Sequence, residues 1–317
     1  MNAVSYSSSI EAPYLSYSPH EHLPLMRIQD QRPLWKCMID IVHACLSQLM
    51  DLMKYPYYFL SLYQKRKVIL LTPHITNNFW SYSADQFPWQ NAQTSAGLFL
   101  FIHGLRGTPL CWAPYLNRLQ QDNPEAHCIA PHVPERGNCS LETAAEPFVE
   151  MIRHYAAKFP GQPIHLIGVS NGGRIVSYLE NQLTPEDLQG RRLNVVSIAG
   201  VHYGTPLIDQ AAKWRVLPFL GLHPRIAEDL KWESLSAQRL LQQWRNKQLT
   251  WQQAGISVRH FFCATVDDEK LWQAYGSLPL LQEEGSGHLD TYQLYNGQTH
   301  QTIIPAAHQD VLNWLRA

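Results

Sequence analysis

Residues 163–173, Pro-Ile-His-Leu-Ile-Gly-Val-Ser-Asn-Gly-Gly, constrain this chain more than any other stretch: an apolar run ends abruptly in Gly168-Val169-Ser170-Asn171-Gly172. Ile164, Leu166 and Ile167 read as a buried strand and residues 174–183 as a helix, so Ser170 falls on the turn between them. A serine hydroxyl is a poor nucleophile unless a tight turn projects it toward a base, with backbone N–H groups nearby. Gly168 and Gly172 leave room for such a turn. The spacing therefore asks the chain for a base, an acid to orient it and donors for an oxyanion.

The pattern on either side predicts an α/β fold with a doubly wound, mainly parallel sheet. Apolar strand runs at residues 98–102, 128–130, 163–169, 194–198 and 258–265 alternate with helical patterns at 112–121, 142–159 and 174–183. A first strand is expected at 68–71, weaker ones at 79–82 and 292–295, and a closing helix at 309–315. Between about 207 and 255 the alternation breaks into a helical stretch, read as a cap inserted over the strand ends, its tryptophans shaping an acyl pocket, with ordinary core helices as the alternative. The main domain is expected over 67–317. Residues 1–66 form an irregular leader followed, at 34–53, by a helix with apolar positions at helical spacing.

Composition narrows the function. With 25 Lys and Arg against 26 Asp and Glu, nothing recruits a nucleic acid backbone. Fifteen histidines never form H-E-x-x-H or a similar cluster, so no metal is expected, and no other cofactor is called for. The six cysteines show no C-x-x-C pair, which favours free thiols in a reducing compartment. The first basic residue is Arg27, and no stretch of 18 apolar residues exists, so neither a cleavable export signal nor a spanning helix is predicted. A cytoplasmic or membrane-peripheral location is expected, and secretion without a signal is compatible with it. Residues 34–67, closed by Lys65-Arg66-Lys67, read either as a helix packed on the main domain or as a peripheral membrane contact.

The expected oxyanion donors are the N–H of Asn171, at the helix start, and that of Leu105, in the His103-Gly104-Leu105 loop after the 98–102 strand. His103 reads as a brace of that loop rather than a base; with His202 and Tyr203 it is a candidate substrate contact. The strand at 258–265 delivers two adjacent acids, Asp267 and Asp268. Asp268 is preferred because Leu271, three residues on, can anchor the following segment. His300 is preferred as base, from its place between the last strand and the closing helix, over His288 and His308. The order Ser, Asp, His differs from those of trypsin and subtilisin.

These segments, with Ser197-Ile-Ala-Gly-Val-His-Tyr-Gly-Thr205, resemble the bacterial lipase and esterase branch of the α/β-hydrolase superfamily, including GPI-deacylase-like enzymes. The resemblance covers residues 68–317. It implies a triad of Ser170, His300 and an acid after the seventh strand, with an oxyanion hole at Leu105 and Asn171. Two departures stand out: the acid is doubled, and no glycine precedes His300. The implied activity is a serine ester hydrolase (lipase, esterase or phospholipase) forming an acyl-enzyme on a lipid or other acyl ester. A thioesterase or amidase on the same residues is the alternative, as is a non-catalytic membrane-docking protein on a hydrolase scaffold.

Overall fold

The computed structural model describes residues 33–46, 49, 87–188, 190, 192–272, 274–279 and 290–317. The strands expected at 68–71 and 79–82, and His288, lie outside them. A six-stranded parallel sheet has the order β2-β1-β3-β4-β5-β6. The strands are β1 (Leu98–Ile102), β2 (His127–Ile129), β3 (Ile164–Val169), β4 (Leu193–Ile198), β5 (Val258–Thr265) and β6 (Thr291–Tyr295). In register, Leu100 of β1 lies opposite Ile129 on one side and Leu166 on the other. The four middle strands are apolar runs because helices cover both faces.

Period-two alternation sorts the core into two layers. Leu98, Leu100 and Ile102 face a cluster with α3 (Leu141–Lys158), α4 (Asn171–Gln182) and α7 (Leu235–Gln253). Phe99 and Phe101 face the opposite cluster, with α2 (Ala113–Asp122) and α8 (His308–Arg316). The helix α1, residues 34–46, joins this second layer through Ile41, with Cys37 and Ala44 packed beside it. No disulfide joins any two of the six cysteines.

The stretch expected as one insertion divides in two. Leu240, Leu241, Trp244 and Trp251 of α7 are buried in the first layer, so α7 is an ordinary crossover helix of the sheet. Its tryptophans belong to the core and do not shape a pocket. What remains between β4 and α7 is α5 (Pro206–Lys213), a 3-10 turn (Leu217–Leu220) and α6 (Pro224–Asp229). This part is clasped to the loops after β1 and β2. The Arg106 guanidinium donates to Leu220 O. Asn138 Nδ2 donates to Gly221 O at 3.2 Å, and Asn138 Oδ1 accepts from the His223 N–H at 2.8 Å.

The sequence order reverses at β1, with β2 on one flank and β3 on the other. In an open parallel sheet, such a switch leaves a crevice beyond the carboxyl ends of the two strands. The loops from β1 and β3 that meet there carry Leu105 and Ser170.

Candidate active site

Ser170 stands between β3 and α4 with φ 56° and ψ −125°, a conformation costly for a residue with a Cβ. Its N–H donates to Ile198 O at 2.9 Å, and its carbonyl accepts from Gly173 N at 2.9 Å, which holds the turn from both sides. The glycines are steric necessities. A Cβ on Gly172 would collide with Ile102 O, and one on Gly168 with Gly172 O. Gly104 matters similarly, since its Cβ would stand 2.9 Å from Ser170 Cβ.

Of the two adjacent carboxylates, Asp268 meets the histidine: Asp268 Oδ2 lies 2.7 Å from His300 Nδ1. Its other oxygen accepts from the N–H groups of Lys270 and Leu271, each at 2.8 Å. Burial opposes its charge, but His300 and those amides win and hold the carboxyl below its ordinary range. Asp267 instead turns outward and closes a loop by accepting from Gly297 N at 2.7 Å. Burial disfavours an imidazolium at His300, yet Asp268 and then Glu269 raise its pKa above the usual value. Glu269, absent from the expected set, also accepts the His300 backbone N–H at 2.9 Å. The pair leaves His300 Nε2 without a bond to any described residue. Ser170 Oγ is likewise unbonded among the described residues, so no Ser170–His300 bond is drawn.

The amides of Leu105 and Asn171 donate to no described group. Asn171 opens α4, where unpaired N–H groups and the helix dipole favour negative charge. Gly137 packs against both loops, its Cβ position being 3.6 Å from Leu105 Cα and 3.3 Å from Asn171 Nδ2.

The other expected histidines are structural. His103 is buried, with Nδ1 2.8 Å from Gly104 O and Nε2 accepting from Val133 N at 3.0 Å. Burial depresses its pKa to about 3, so it braces its loop as a neutral ring. His202 is buried between Ser197 Oγ at 2.8 Å and Ser177 Oγ at 3.3 Å, which occupies both ring nitrogens and corrects its reading as a substrate contact. Tyr203 is half-buried, its carbonyl accepting from Glu233 N. His308 packs edge-on against Tyr115 at 4.5 Å, on α2 rather than beside Asp268.

Sequence reasoning missed two buried charge features. Arg174, one turn into α4, is fully buried, and its three guanidinium nitrogens have no hydrogen-bond partner among the described residues. Beneath the sheet, His260 of β5 bridges Glu180 Oε2 at 3.0 Å and Asp290 Oδ1 at 2.9 Å. Trp244, Trp251 and Gln248 of α7 also donate to Glu180. The only sequence signal was a charge on the inner face of each apolar pattern, at Glu180 and His260.

Among the described residues, no group of three His, Cys, Asp or Glu side chains could hold a metal. A parallel sheet with a strained serine at its switch point and a carboxylate–histidine pair at neighbouring strand ends defines a hydrolase-type architecture. The chain belongs to the alpha/beta hydrolase family, whose model matches residues 99–304. No curated protein matches it. Among solved structures, it resembles phospholipase PlaB from Legionella pneumophila (15% identity, TM-score 0.40), covering 54% of this chain and 40% of that one. The product of lin2722 from Listeria innocua shares 14% identity at TM-score 0.49, covering 70% and 94% of the two chains. The monoacylglycerol lipase of Paleococcus ferrophilus shares 17% at TM-score 0.44, covering 70% and 95%.

Proposed function

We propose that the protein is a serine ester hydrolase acting on acyl esters, lipids included, through an acyl-enzyme on Ser170. One observation carries this reading: the hydrogen-bonded Asp268–His300 pair rises from the same edge of the sheet as the strained Ser170, which two undonated amides flank. Asp268 fixes the ring with Nδ1 toward itself, which leaves Nε2 as the base. Ser170 Oγ attacks the ester carbonyl as its proton passes to Nε2, and the amides of Leu105 and Asn171 receive the oxyanion. The same proton then leaves with the alcohol, and a water activated at Nε2 releases the acid.

On short p-nitrophenyl esters, Ser170→Ala is expected to lower kcat by at least about a thousandfold. Undiminished turnover would sink the reading. Thioesters and activated amides use the same constellation, and relative rates across lipids, short esters and thioesters decide among them. A non-catalytic docking protein on this scaffold would leave Ser170 unlabelled by a fluorophosphonate. The resemblance to bacterial lipases and GPI-deacylase-like enzymes in segment 197–205 favours a lipid ester. Peripheral membrane contact through residues 34–67 suits such a substrate.

A further inference from the structure

The helix α1 is apolar on two sides. Cys37, Ile41 and Ala44 lie against the core. Leu34, Trp35, Met38, Ile39, Val42 and Leu46 point away from it, each between 52% and 64% exposed. At 100° per residue these six fall within a stripe about 140° wide, and Lys36, Asp40 and His43 lie outside it. Single exposed apolar side chains are ordinary, whereas a continuous uncharged stripe marks a contact surface.

The sequence that follows points to the occupant. Between Asp51 and Asp85 the chain carries Lys54, Lys65, Arg66 and Lys67 and no acid. The same stretch holds Tyr55, Tyr57, Tyr58 and Phe59. Amphipathic aromatic rings favour the headgroup level of a bilayer, and clustered Lys and Arg are drawn to anionic headgroups. An apolar helix face combined with a basic cluster supplies the two signals that stable membrane attachment needs. Another protein surface would leave this one-sided charge unexplained.

We propose that the outer face of α1 docks the protein on anionic lipid surfaces. This docking does not depend on the chemistry of Ser170.

The full-length protein would be floated with phosphatidylcholine vesicles, with and without phosphatidylglycerol. The wild type is expected to float with the anionic vesicles, less so as salt is raised. Trp35→Gln/Ile39→Gln/Val42→Gln alters only exposed side chains, its fold being checked by circular dichroism, and is expected to partition at least about tenfold less. Lys65→Gln/Arg66→Gln/Lys67→Gln is expected to lose the preference for phosphatidylglycerol. Wild type that stays off the vesicles, or a triple apolar variant that floats unchanged, overturns the proposal. So does light scattering that shows a wild-type dimer converted to a monomer by the apolar variant, which assigns the stripe to a second copy of the chain.

Discussion

At His300, the charge that Asp268 stabilises is the form that cannot act as a base. With its pKa raised, the ring loses its proton only at higher pH than a free imidazole. The acidic limb of kcat/KM for ester hydrolysis is therefore expected to have its midpoint above about 6.5. Asp268→Asn should move that midpoint down and lower kcat/KM; a wild-type midpoint at or below 6.5 contradicts the assignment. Arg174 poses the opposite question, because a fully buried guanidinium with no hydrogen-bond partner among the described residues works against stability. Arg174→Met keeps much of the volume and removes the charge, and is expected to stabilise the fold by about 1–4 kcal/mol. A lower midpoint in urea would show that the cation is compensated.

Among the elements, α4, α7 and β5 are tied together by Glu180, which accepts from Trp244, Trp251 and Gln248 and faces His260. Removing one member of such a buried network leaves its partners unpaired. Glu180→Ala is expected to cost about 3–5 kcal/mol, read by urea denaturation, and a loss near 1 kcal/mol would mean that the network relaxes. This cluster explains why α7 belongs to the sheet, and the sequence hides it because residues 180 and 260 meet only in the fold. The strands were legible for the opposite reason. Runs such as 98–102 and 258–265 are apolar on both faces and need no distant partner to be recognised. The serine turn and its first amide are equally local. Choosing between Asp267 and Asp268 is not, because it depends on which way the chain turns: Asp268 folds back onto the amides of residues 270 and 271, while Asp267 reaches Gly297. His202 misled because the hydroxyl that completes its bonding, Ser177, lies on another element.

For the whole molecule, buried histidines set the pH window of stability. Burial lowers the pKa of His103, His165 and His202 to about 3 and of His132 to about 4. Their contribution is present above the unfolded value near 6.5 and is lost as pH falls through the folded values. His260 behaves in reverse: burial opposes its charge, but Glu180 and Asp290 raise its pKa to about 10. Its contribution is whole below about 6.5 and is lost as pH rises through about 10. The four buried neutral histidines therefore predict that stability falls as pH drops below about 6.5, while His260 and His300 give up theirs as pH rises. Urea midpoints across pH test this, and a plateau extending down to pH 4 contradicts it. The single direction of the strands has one more consequence. Gly161, Gly190 and Gly255, on the turns leading into β3, β4 and β5, have nothing within 4 Å of a Cβ position. They lie at the opposite end of the sheet from Ser170, so a linker grafted at these turns would anchor the protein to a support with the Ser170 edge facing outward.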